Sequence, residues 1–266
     1  GKRVLITGAG GSIGSELARI CADHAPSLII LMDRSDNALF EIDRQLCAVH
    51  PEVNRRVVLH DVVDSPRTLE RMEELAPDIV FHAAAHKHVP LMEENFEDAI
   101  SNNVVGTRIV VDAALESGTR RFVAISTDKA VAPSSVMGAS KRMASMLVWD
   151  AARRSGRPFV VVRFGNVLGS RGSVVPFFER QIERGGPVTI THPEMKRFFM
   201  TISEAVHLVL EAGGMGQTGE LFVLNMGESV RLMDLAEDLI QLSGFTTDQI
   251  PIITTGIRPG EKLEEA

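Results

Sequence analysis

The sequence predicts an α/β chain built on a doubly wound parallel sheet, with a smaller lobe at its C-terminal end. Three observations predict it. Short aliphatic runs alternate with longer amphipathic ones through the first 164 residues. The short runs are almost continuously apolar, as strands covered on both faces must be. The first apolar run passes into the first amphipathic one through a glycine-rich turn, and beyond Gly165 the regular rhythm stops.

In chain order, the apolar runs predict strands at Val4–Thr7, Leu28–Asp33, Val57–Leu59, Ile79–His82, Phe122–Ser126 and Phe159–Phe164. Between them, spacing near 3.6 residues predicts helices at Ser12–Asp23, Ala38–Val49, Ser65–Leu75, Asn95–Ser117 and Met137–Arg154. Crossovers between parallel strands are right-handed. After Gly165 the segments shorten and Gly and Pro become frequent. Helices are expected at Val174–Arg184, Glu204–Glu211 (with Ser203 as its cap) and Leu232–Leu242, and strands at Pro187–Thr191 and Leu221–Leu224. The division expected is a dinucleotide-binding part over residues 1–165 and an integrated, mainly substrate-binding lobe over 166–266, laid across the carboxyl edge of the sheet.

Composition narrows the function. An apolar fraction of 44% supports a sizeable core, and a net charge of −7 argues against a nucleic-acid binder, which concentrates excess Lys and Arg. Two cysteines, Cys21 and Cys47, lack zinc or redox spacing, so reduced, cytoplasmic surroundings are expected. No apolar run approaches the roughly 20 residues of a membrane span. No signal peptide is expected before the first strand, and no membrane contact is expected from these residues. The expected setting is the cytoplasm, or the cytoplasmic face of the inner membrane if the chain is a domain excised from a membrane-anchored protein.

Gly8, Gly11 and Gly14, with Ser12 and Ile13, form the turn between the first strand and helix. Glycines there permit a tight turn and bring backbone N–H groups against a pyrophosphate at the helix N-terminus. Asp33 ends the second strand about twenty residues on, where a carboxylate accepts hydrogen bonds from an adenosine ribose. This Rossmann-like pattern predicts NAD. Asp33 repels the extra phosphate of NADP. Arg34 either holds that phosphate, which admits NADP, or is a solvated surface residue. Asp61 and Val62 follow the third strand, with Asp61 placed either to meet adenine or to cap a loop. Ala83, Ala84 and Ala85 follow the fourth strand and leave room for a cofactor.

The fifth strand is followed by Thr127, Asp128 and Lys129, at the end of the sheet where ligands bind in such folds. Lys141 lies one helical turn beyond Met137, on the same face. His86 and His88 are expected to pack in a loop rather than ligate a metal, since no carboxylates complete a site. The chain contains no tyrosine.

Four strings make a specific resemblance: Ala84–Glu93, Thr127–Ala130, Arg163–Val174 and Arg258–Lys262. The chain resembles the extended short-chain dehydrogenase/reductases. Within them it is similar to the UDP-N-acetylglucosamine 4,6-dehydratases of bacterial capsule, O-antigen and glycan synthesis. Met137 stands where that superfamily keeps its catalytic tyrosine, and the branch with longer, membrane-anchored members shares this replacement. The resemblance implies oxidation at sugar C4, elimination of water across C5–C6 and hydride return to C6. It implies Lys129 as the C5 base, Asp128 as the acid at the C6 hydroxyl, Thr127 near O4, Lys141 on the nicotinamide ribose and Asn103 supporting that network. Lys87, Asn166, Arg171, Ser173, Val174 and Thr189 are expected along the UDP-sugar. Arg197 and Arg258 are expected on the diphosphate and Glu261 on the uridine ribose. A homo-oligomer through the two long central helices is expected. The competing readings are an epimerase of the same fold, at C4 or as a 5-epimerizing dehydratase, and a non-catalytic NAD-binding module.

Overall fold

The computed structural model describes residues 1–265. Six strands carry the first part: β1 (Arg3–Thr7), β2 (Leu28–Asp33), β3 (Arg55–Leu59), β4 (Ile79–His82), β5 (Arg121–Thr127) and β6 (Phe159–Phe164). A seventh, Leu221–Val223, comes from far down the chain. The sheet runs Leu221–Val223, β6, β5, β4, β1, β2, β3, and every neighbouring pair is parallel. The order reverses beside β1, so the carboxyl ends of β1 and β4 open into a crevice at the topological switch point.

Alternation along the strands divides the core. Ile6, Leu31, Val123 and Val162 face one layer with α1 (Ser12–Ala22), α2 (Asp36–Val49) and the helix Ile202–Met215. Leu5, Ile30, Phe122 and Val161 face the other, with α3 (Ser65–Leu75) and the helices Gly106–Glu116 and Val136–Ser155. Burial on both faces explains the near-continuous apolar runs. A third cluster, built from Phe178, Ile182, Val188, Ile190, Ala236, Ile240 and Ile250, lies wholly in the later part of the chain.

Several expectations need correction. The Asn95–Ser117 pattern is not one α-helix. Val89–Glu94 and Phe96–Ala99 are short helices, and Ile100–Val105 is a π turn before Gly106–Glu116. The extra residue of that turn aims Asn102 and Asn103 inward, and both are buried. Ser203 is not a cap. The helix begins at Ile202, and Thr201 Oγ1 accepts from Glu204 N–H at 3.1 Å. The helix also runs on to Met215, past the expected Glu211. The expected strand at Pro187–Thr191 is Val188–Ile190, paired with an unforeseen Ile252–Thr254, and unforeseen two-residue strands pair Asn166–Val167 with Phe199–Met200 and Lys196–Arg197 with Val230–Arg231. Segments this short carry no periodicity to read. Among the described residues, no helix is long and apolar enough to cross a membrane.

Candidate functional site

A cavity of about 780 Å³ runs from the glycine turn to the C-terminal lobe, and a smaller one of about 140 Å³ adjoins it at the ends of β2 and β3. The glycine turn shapes their junction. Gly8 has φ +68°, and a side chain there would meet the backbone of Ala84. A Cβ on Gly14 would collide with the Gly8 carbonyl, so only glycine lets α1 pack this close to β1. α1 has no side-chain cap at its N-terminus, and Gly11, Ser12, Ile13 and Gly14 line the larger cavity. The Gly11 N–H is taken by the Gly8 carbonyl at 3.0 Å, and the N–H groups of Ser12, Ile13 and Gly14 form a cradle for an anion.

Asp33, Arg34, Asp61, Val62, Ala83, Ala84 and Ala85 all line the smaller cavity. Asp33 is doubly anchored. Its Oδ2 accepts from Gly10 N–H at 2.9 Å and its Oδ1 from Ser35 N–H at 3.0 Å. Arg34 is exposed, 3.7 Å from Asp61 Oδ2 and donating to His86 Nε2 at 3.2 Å. Burial, and then the Arg34 charge, push the His86 pKa down, which keeps that nitrogen an acceptor.

Asn103 is expected to support the site's network. It is fully buried and does not line either cavity. Its Oδ1 accepts from His86 N–H at 2.7 Å, and its Nδ2 donates to the His86 carbonyl at 3.0 Å and Ser140 Oγ at 3.0 Å. It therefore fixes the loop after β4 from behind. Asn102, missed in the sequence, lines the smaller cavity instead.

At the end of β5 the chain turns through one 3-10 turn, Asp128–Ala130, capped by Thr127. Thr127 Oγ1 donates to Asp128 Oδ1 at 2.9 Å. The same oxygen accepts from Lys129 N–H at 2.7 Å and from Lys129 Nζ at 3.0 Å. Asp128 Oδ2 is buried without a partner and faces Gly165, where a side chain would come within 2.9 Å of it. Lys129 Nζ also donates to Asn166 Oδ1 at 3.2 Å, so Asn166 lies at the lysine as well as on the cavity wall. Thr127 and Lys129 line the cavity; Asp128 sits just behind them.

The helix Val136–Ser155 brings up Met137 and Lys141. Ser135 Oγ caps it by accepting from Gly138 N–H at 3.1 Å, and a side chain on Gly138 would strike the Lys129 carbonyl. Lys141 is buried at the cavity wall, and its Nζ donates to the Ile125 carbonyl at 2.6 Å. Burial pulls its pKa down to about 8. Met137 reaches the same wall but packs with Met92, Ala99, Val89 and Val136.

Every residue expected along the UDP-sugar lines the larger cavity: Lys87, Asn166, Arg171, Ser173, Val174, Thr189, Arg197, Arg258 and Glu261. Arg171 N–H donates to Ser12 Oγ at 3.1 Å, and Lys87 Nζ to Ser170 Oγ at 3.4 Å, tying the two halves together. Burial lowers the Lys87 pKa. Ser173 stands at the N-terminus of the Val174–Glu183 helix, its hydroxyl buried without a partner. Thr189 is gripped by Gln181, which accepts from its N–H at 3.0 Å and donates to its hydroxyl at 2.8 Å. Arg258 and Glu261, expected on separate parts of a ligand, are bonded to each other, Nε to Oε1 at 3.0 Å. Arg197 meets only carbonyls, those of Lys196 at 2.7 Å and Leu263 at 3.2 Å. Phe177, Arg180, Met195 and Thr255 also line the cavity and were not foreseen. The position of Phe177 and Arg180, one helical turn apart on the Val174–Glu183 helix, was the available signal.

Residues 4–266 match the family model described as polysaccharide biosynthesis protein. The chain belongs to that family. A Bacillus subtilis relative, the probable polysaccharide biosynthesis protein EpsC, is 53% identical over all of this chain and 44% of its own length. The chain thus spans less than half of the first such relatives it matches. The chain is also similar to a Campylobacter jejuni UDP-N-acetylglucosamine 4,6-dehydratase (inverting), 36% identical over 99% of this chain and 76% of that protein. A Rickettsia canadensis UDP-glucose 4-epimerase is 37% identical over 100% and 77%. Among solved structures, Pen from Bacillus thuringiensis matches with a TM-score of 0.92 and 35% identity, covering 99% of this chain and 82% of that one.

Proposed function

We propose that this family member is an NAD-dependent 4,6-dehydratase of UDP-N-acetylglucosamine, serving surface-polysaccharide or glycan synthesis. The observation that carries the reading is the hydrogen-bonded Thr127–Asp128–Lys129 turn, set in one cavity between the glycine cradle and an arginine-lined lobe. A plain C4 epimerase needs no such acid–base pair.

The cradle fits a dinucleotide. α1 offers unsatisfied N–H groups to a pyrophosphate, and Asp33 stands at the smaller cavity for a ribose. Arg34 is engaged by His86 and Asp61, which favours NAD over its 2′-phosphorylated form. When bound, NAD would supply the acceptor for the C4 hydride and return it to C6.

The protein's own part is proton chemistry. Lys129 and Asp128 already share one hydrogen bond at 3.0 Å. Moving one proton from Nζ to the carboxylate yields a neutral amine and a carboxylic acid, with no exchange with solvent. The amine then removes the C5 proton, made acidic by the C4 ketone, and the acid protonates the departing C6 hydroxyl; once hydride has returned to C6, the Lys129 ammonium, its protons exchanged with solvent, gives a proton back to C5. Thr127 holds the C4 oxygen, and Lys141 holds the nicotinamide ribose. Met137 has no acidic proton, so the C4 hydroxyl proton passes to a water and on to solvent, helped by Thr127, Lys141 or Asp128. On the nucleotide side, Arg197 and Arg258 meet the diphosphate with Ser173, and Glu261 meets the ribose.

Incubation with UDP-N-acetylglucosamine in deuterated water tests the reading. A product lighter by one water and carrying deuterium at C5 is expected. Epimerised product of unchanged mass identifies an epimerase, and unchanged substrate with retained NAD binding identifies a binding module.

A further inference from the structure

Lys129 meets a second carboxylate. Glu265 Oε1 lies 3.9 Å from its Nζ, which Asp128 Oδ1 also approaches, at 3.0 Å. The Glu265 side chain is only 4% exposed, and its Oε2 has no hydrogen-bond partner. A carboxylate loses several kcal/mol of hydration when buried this way, so it persists only where cations offset the loss. Two do so here: Lys129, and Lys262 at 3.8 Å from Oε2.

The segment bearing Glu265 is firmly seated. Ser134 Oγ donates to the Gly260 carbonyl at 3.3 Å and Lys262 Nζ to the Val131 carbonyl at 3.1 Å, pinning it to the loop after Lys129. On its other side the Leu263 carbonyl accepts from Lys196 N–H at 2.8 Å.

We propose that Glu265 is a positioning residue for Lys129: it holds the amine at the site and sets the pH at which the Asp128–Lys129 pair takes up a second proton and stops working. The proposal rests on Lys129 being the C5 base. The charged groups around the pair are Glu265 with Lys262 behind it, Arg163 on β6, whose charge acts on Asp128, and Lys141 on the Val136–Ser155 helix. The Glu265 charge favours uptake of that second proton, and Lys262 weakens its pull. Removing the Glu265 charge leaves the pair singly protonated down to lower pH; removing Lys262 does the reverse.

The test is the acid limb of kcat against pH, measured on the whole chain with UDP-N-acetylglucosamine. Glu265→Gln is expected to move that limb down by about one pH unit, the usual scale for a lost charge at this distance. Glu265→Asp, which keeps the charge, should bring it back towards the wild-type position. Lys262→Met should move it upward, and decides the matter if the glutamine variant fails to fold. A limb left in place in both Glu265→Gln and Lys262→Met, whatever the loss of rate, overturns the proposal. Deuterium uptake at C5 by Lys129→Met separates the two ideas. Persistent uptake removes Lys129 as the base, whereas lost uptake with an unmoved limb in Glu265→Gln removes only the role of Glu265.

Discussion

The Asn103 carboxamide bonds both backbone groups of His86, accepting from the N–H at 2.7 Å and donating to the carbonyl at 3.0 Å. One side chain therefore supplies the pairing that a neighbouring strand would otherwise give. The loop it holds carries Ala83, Ala84 and Ala85 on one side and Lys87 on the other, which places it between the two cavities.

Replacing Asn103 by alanine leaves two part-buried backbone groups and the Ser140 hydroxyl without this partner. A loss of about 2 to 3 kcal/mol in unfolding free energy is expected, read from urea denaturation. Asn103→Asp keeps the acceptor but buries a carboxylate against the His86 carbonyl, so it should cost at least as much as alanine.

Arg258 is the most solvent-exposed of the arginines expected on the diphosphate, and it is paired with Glu261. A diphosphate offers it a stronger, forked partner. Arg258→Ala should weaken UDP binding about 10- to 100-fold by calorimetry, the range of a charge-assisted hydrogen bond. Unchanged affinity would remove Arg258 from the ligand.

Lys141 carries a pH signature. Its folded pKa is about 8, below the ordinary 10.5, so between those values the unfolded chain binds more protons than the folded one. Stability from this group therefore rises with pH from about 8 to 10.5, and is lost as pH falls through 8. The stability of the wild type relative to Lys141→Met should grow by about 3 kcal/mol across that window, measured by denaturation at matched pH. A difference that stays flat would mean the amine is not buried as the Ile125 carbonyl contact requires.

What the sequence made legible was local. Gly8, Gly14 and Asp33 were readable because a tight turn, a close helix–strand approach and a strand-end carboxylate each demand one residue type at one spacing. The Thr127–Lys129 turn was readable for the same reason, since its bonds join adjacent residues. The grip of Gln181 on Thr189, the bond from Lys129 to Asn166 and the approach of Glu265 were not, because they join segments far apart in the chain. The π turn at Ile100–Val105 was hidden differently. One extra residue in a helix shifts the apolar period too little to show, yet it decides which of two adjacent asparagines faces a cavity. Thr201 and Ser203 are both hydroxyl caps by type, and only the backbone chooses between them.

The strand Leu221–Val223 closes the edge of the sheet beside β6, whose six residues are all buried. Synthesis therefore releases β6 long before its outer partner exists. Until then a strand apolar except for Arg163 stands at an open edge, the kind of surface that recruits other chains. The glycine cradle and the strands around it are complete in outline by residue 165, but the sheet becomes self-contained only when the later lobe has been made, so the two parts are bound by the order of their birth.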